Sequence, residues 1–112
     1  MIEINITCTN GLITEFKVKG HAGFAAEGQD IYCAGVSAIT QTALLGLMQH
    51  LEKEPVYSVK KGFLTCSLPQ KLTENEMSRA QIILSTMETG LMSLQDAYPD
   101  YVKVTRGGVY DV

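Results

Sequence analysis

His21 and Cys33, twelve positions apart, are the residues whose types and spacing could do covalent chemistry. An imidazole can take a thiol proton, and the resulting thiolate is a strong nucleophile. The stretch between and around them reads Gly20-His21-Ala22-Gly23-Phe24-Ala25-Ala26-Glu27-Gly28-Gln29-Asp30-Ile31-Tyr32-Cys33-Ala34-Gly35-Val36-Ser37. It leaves a strand-like segment, crosses a glycine-containing loop and enters a long apolar helix. A cysteine at a helix start meets unsatisfied N–H groups and the positive end of the helix dipole, which favour a thiolate. The same residues also allow a plainer reading. Cys33 would then be a small apolar residue near a helix start, and His21 a strand-end histidine bonded to a loop carbonyl.

The other candidates separate by geometry and pattern. His50 lies seventeen residues beyond Cys33 on the same expected helix. At about 1.5 Å rise per residue that is roughly 25 Å, too far to serve it within one chain. Cys8 and Cys66 alternate with polar residues on strand-like segments and read as buried structural thiols. Asp30 is either the N-cap of the helix, accepting a first-turn N–H, or a carboxylate that orients the imidazole. Ser37, one turn beyond Cys33, either helps the site by hydrogen bonding or bonds back to its own helix. There is no Cys-x-x-Cys, and the two histidines are far apart, so no metal is expected. Gly20, Gly23 and Gly28 do not have phosphate-loop spacing.

The elements that must position these residues follow from periodicity. Residues 2–8 alternate, with Ile2, Ile4, Ile6 and Cys8 on one face, and Asn10-Gly11 predicts a hairpin turn. Leu12, Thr14, Phe16 and Val18 are expected to share a face of the second strand. A helix is predicted from Asp30 to before Pro55, with Ile31, Val36, Ile39, Leu44, Leu47, Met48 and Leu51 as its apolar surface. Residues 56–59 and 63–68 form a second hairpin turning at Lys60-Lys61-Gly62. Thr73 and Glu76 have capping-box spacing for a second helix. Its apolar stripe is Met77, Ala80, Leu84, Met87, Leu91, Leu94 and Tyr98. Residues 101–105 make a last strand. The order β-β-α-β-β-α-β predicts a two-layer α+β domain, a mainly antiparallel sheet with two helices on one face.

Length and composition narrow the function classes. A chain of 112 residues reads as a single domain, and 46% hydrophobic residues suffice for a core without metal or disulfide. A net charge of −3 gives no general footprint for direct nucleic-acid binding. Met1 leads straight into strand residues, so no signal peptide is expected, and three cysteines read as reduced cytoplasmic thiols. The apolar run from Val36 to Leu51 is short and interrupted by polar residues, which argues against a membrane span.

Gly20-His21-Ala22, followed by Gly28-x-Asp30-Ile31-x-Cys33-Ala34-x-Val36-Ser37, resembles the ribosomal-processing cysteine protease family, Prp. The resemblance extends along the whole chain. It implies a cofactor-independent cysteine endopeptidase. Such an enzyme removes the N-terminal extension of bacterial large-subunit ribosomal protein twenty-seven, a step needed for ribosome assembly. It also implies a homodimer with His21 as general base and Cys33 as nucleophile, and Asp30 and Ser37 at further motif positions. Helix-start N–H groups would stabilise the oxyanion. The segment of Ala22, Gly23, Phe24 and Gly28 would close over an extended peptide. The rival classes are a non-catalytic peptide-binding assembly factor and a thiol-dependent acyl-transfer or redox protein.

Overall fold

The structure, a computed structural model, describes residues 1–20 and 30–109, the side chain of Val109 excepted. The elements run β1 (Ile2–Thr9), β2 (Leu12–Lys19), α1 (Ile31–His50), β3 (Val56–Lys60), β4 (Phe63–Ser67), α2 (Glu74–Ala97) and β5 (Val102–Val109). Among the described residues the strands form one sheet, in the order β3-β4-β2-β1-β5. Every neighbouring pair is antiparallel except β1 and β5, which are parallel. This is the expected α+β arrangement, with a mixed sheet.

Alternation in β1 buries Ile2, Ile4, Ile6 and Cys8 on the face that the helices cover. Asn10 and Gly11 both have positive φ, at 52° and 83°, as a tight hairpin turn demands. The second strand departs from its simple alternation. Ile13 and Phe16 are buried and Leu12 is exposed. A bulge causes this: Thr7 pairs with Glu15 but Cys8 pairs with Ile13, leaving Thr14 as an extra residue. Gln81 of α2 supplies Ile13 with both backbone partners. Its Oε1 accepts the Ile13 N–H and its Nε2 donates to the Ile13 carbonyl, each at 2.8 Å.

The first helix stops before Pro55, as expected. It ends at His50, with Leu51 as C-cap. Ile31 faces solvent rather than the core, while Val36, Leu44 and Leu47 are buried. Taken whole, from Ile31 to His50, α1 is long and apolar enough by length and composition to cross a bilayer. Its buried residues instead pack in the core shared with the sheet. The two helices approach closely where each offers a glycine. Ile83 lies over Gly46 and Ile39 over Gly90, and an added Cβ at either glycine would be in van der Waals contact. The last strand continues to Val109 because each residue through Thr9–Val109 finds a partner on β1, despite Gly107 and Gly108.

Glu76 ties the end of α1 to the start of α2. Its Oε1 accepts the Thr73 N–H at 3.2 Å, completing the capping box, and its Oε2 accepts the Glu52 N–H at 3.1 Å. These backbone bonds hold its carboxyl below the ordinary carboxylate range, against the opposing effect of burial. A depressed folded value stabilises the fold above the unfolded pKa, about 4.3. That stability is lost as pH falls through the folded value. Glu76→Gln, with one carbonyl acceptor for two N–H groups, should therefore be less stable than wild type at pH 7. The gap in urea-melt stability should close below about pH 4. A gap independent of pH would contradict this role.

Candidate active site

The start of α1 is fixed by Asp30. This residue is buried and extended, at φ −83° and ψ 108°. Its Oδ1 accepts the Tyr32 N–H at 3.0 Å and the Cys33 N–H at 3.1 Å. Its carbonyl accepts the Ala34 N–H at 3.0 Å. Asp30 is thus the N-cap, and Cys33 is the third helical residue. The cap alters the chemistry expected here. The N–H groups of Tyr32, Cys33 and Ala34, which a helix start would offer as oxyanion donors, are engaged by Asp30.

Cys33 is half-buried and opens onto a cavity of about 120 Å³. From α1 the cavity wall takes Val36, Ser37, Thr40 and Gln41, and from the sheet Val18, Gly20, Val59 and Leu64 among others. Cys33, Ser37 and Gln41 follow one another at one-turn spacing along the helix. Gln41 Nε2 donates to Ser37 Oγ at 2.9 Å. The Ser37 oxygen therefore accepts, and its proton remains available to donate. Thr40 turns away from this role by donating to the Val36 carbonyl at 2.8 Å.

Gly20 directly follows β2 at the rim of this cavity. Its φ is +96°, and a Cβ there would lie 2.5 Å from the Met1 carbonyl oxygen. Its N–H donates to the Gly62 carbonyl at 3.1 Å, in the turn between β3 and β4. Only glycine fits that backbone and that approach. His21 follows it directly in the chain. His21, Ala22, Gly23, Phe24 and Gly28 all lie outside the described residues.

The remaining thiols and aromatics frame the site. Cys8 and Cys66 are buried in the core, as their alternation indicates. Burial, with Glu15 nearby, pushes the Cys66 thiol up to about 12 and leaves it inert at neutral pH. Tyr32, beside Cys33, stacks on Tyr101 with ring centroids 4.4 Å apart and meets Tyr98 at 4.8 Å. Partial burial, then Tyr101, Tyr98 and Asp30, raises the Tyr32 hydroxyl above its ordinary value, so it stays protonated. The stack anchors the first turn of α1 to the start of β5. Gln41, Val59, Gly62 and Phe63 escaped the sequence reading. They reach the cavity only through hairpin register and helix docking, and no local signal announces them.

Comparison with known proteins places this geometry. The profile of the family described as "Cysteine protease Prp" matches residues 1–103. The ribosomal processing cysteine protease Prp of Bacillus subtilis is 30% identical over 95 residues, 83% of this chain and 85% of that protein. Its Staphylococcus aureus namesake is 27% identical over 105 residues, 93% and 97% of the two chains. A crystal structure of the Staphylococcus aureus protease with a covalently linked product peptide superposes with a TM-score of 0.82. It has 25% identity and covers 95% of this chain and 99% of that one. A protein from Streptococcus mutans shares the fold at a TM-score of 0.78 and 21% identity, over 99% and 96% of the chains. By the extent of the profile match and the identity to a curated relative, the chain belongs to the Prp family of ribosomal-processing cysteine proteases.

Proposed function

We propose that the protein is the endopeptidase that removes the N-terminal extension of large-subunit ribosomal protein twenty-seven, working through a His21–Cys33 dyad. One observation carries the dyad. Gly20 and Cys33 border the same cavity, and His21 is the next residue after Gly20. Consecutive Cα atoms are about 3.8 Å apart, so a histidine next to Gly20 starts from the rim that Cys33 borders, which supports the pairing.

The chemistry follows from these placements. His21 takes the Cys33 proton, and the thiolate attacks the scissile carbonyl, forming the C–S bond. The Ser37 hydroxyl, its oxygen held by Gln41, is the donor that faces the developing oxyanion. His21 returns the proton to the leaving amine as the C–N bond breaks. Water then attacks the thioester, giving the carboxylate and regenerating the thiol. Asp30 acts by capping α1 and aiming Cys33 at the cavity. Val18, Val36, Val59 and Leu64 make the cavity apolar, which suits an uncharged side chain of the peptide.

A homodimer accords with the outer surface of the helices. Leu45 and Ile82 are exposed there, beside a groove lined by Ile39, Gly46, Ile83 and Gly90. Acting on a ribosomal protein, the enzyme works in the cytoplasm in this reading.

Cys33→Ala should fold normally and leave the ribosomal precursor uncut, read by mass spectrometry of the incubated substrate. Full cleavage by that variant would refute the mechanism. Gly20→Ala should cost about 1–3 kcal/mol in stability, the typical cost of a strained left-handed residue. It should also cut turnover at least tenfold even where the protein remains folded, because His21 is displaced. A folded Gly20→Ala enzyme with wild-type turnover would remove Gly20 from the account.

A further inference from the structure

The outer edge of β3 has an unusual character for a sheet edge. Among the described residues no strand lies beyond it. Its hydrogen-bonding sense follows from the next strand in. The Leu68 N–H, just past β4, donates to the Thr14 carbonyl at 2.9 Å. Residues of an antiparallel strand alternate in the neighbour they bond. Leu64 and Cys66 therefore bond toward β2, and Phe63, Thr65 and Ser67 bond toward β3. Their partners there are Lys60, Ser58 and Val56. The remaining residues, Tyr57 and Val59, point their N–H and C=O groups away from the sheet.

Tyr57 and Val59 pair with Cys66 and Leu64, so their side chains lie on the helix side of the sheet. Both are exposed, at 43% and 48%. Edge strands are usually blunted by charge, proline or a bulge, and apolar side chains beside outward-facing backbone groups do the opposite. The edge is also continuous with the site. Val59 and Lys60, at the end of β3, border the cavity onto which Cys33 opens. On the helix wall across it stand Ser37 and Gln41.

We infer that the outer edge of β3 is the docking strand for substrate. An extended peptide joins the sheet through the backbone of Tyr57 and Val59, and this places its scissile carbonyl at Cys33. The two outward-facing residues are about 6.5–7 Å apart, the repeat of an extended chain. Main-chain bonds hold the peptide without regard to its side chains. Those that fall on the helix side cover Tyr57 and Val59 and fill the apolar cavity. This inference rests on the protease reading of the same site.

The test uses the intact protein and a peptide spanning the precursor cleavage site. Single N-methyl groups are placed at successive residues of that peptide. Methylation should raise KM about five- to tenfold at every second residue over the docked stretch, with little effect on kcat. The residues between should be tolerant. Val59→Pro removes one outward N–H but no bond to β4, and should raise KM several-fold more than Val59→Ala, which keeps the N–H. Wild-type failure to cut the unmodified peptide would sink the protease reading itself. Cutting with a flat methylation profile, and equal KM for Val59→Pro and Val59→Ala, would overturn edge docking alone. If Val59→Pro does not fold, the methylation profile decides.

Discussion

The Asp30 carboxylate sets the site. One buried oxygen accepts the N–H groups of Tyr32 and Cys33, and so decides at which residue α1 begins. An N-cap of this kind is worth about 0.5–2 kcal/mol. Its larger consequence is directional. Each residue of a helix turns about 100°, so a start displaced by one position would swing the thiol off the cavity. The same bonds occupy the Tyr32 and Cys33 N–H groups, which the proposed mechanism does not use. A helix start can aim a nucleophile or supply oxyanion donors through those groups, and here they aim it. In the proposed mechanism the oxyanion is stabilised one turn along, by a serine whose oxygen accepts from Gln41.

The second wall depends on equally tight local physics. Gly20 sits against the Met1 carbonyl in a conformation closed to other residues, and bonds the turn that joins β3 to β4. The end of β2, the second hairpin and the first turn of α1 thereby converge on one small cavity. Ile2, Val18, Val36, Val59 and Leu64 line part of it, and where they exclude water the lower local dielectric would strengthen attraction between the proposed imidazolium and thiolate. Remote contacts hold the two layers in register. Gln81 satisfies the bulge in β2, Glu76 joins the ends of the helices, and the Tyr32–Tyr101 stack fixes the start of α1 against β5.

Much of this was legible in the residues themselves. Alternation in β1, Asn10-Gly11, the Asp30 cap and the Thr73–Glu76 capping box are local signals, and each element formed where they stand. The bulge at Thr14 was not legible. It depends on how β1 and β2 align across the hairpin, which the alternation of either strand alone does not record. The reach of β5 to Val109 was hidden for a related reason. A glycine pair reads as a break, but a parallel partner along all of β1 carries the strand through it. Asp30 and Cys33 could be found from type and spacing. Gln41, Val59 and Gly62 could not, because only strand order and helix docking bring them together. The family motif pointed to a ribosomal substrate, a conclusion beyond the reach of spacing alone.

The central claim is that Gly20 delivers His21 to a thiol aimed by Asp30. The rate of Cys33 alkylation as a function of pH, in wild type and in His21→Ala, tests it most directly. Wild-type Cys33 should react through a thiolate that persists well below the ordinary cysteine pKa of about 8.5, and His21→Ala should restore an ordinary titration. Superimposable profiles from the two proteins would contradict the dyad.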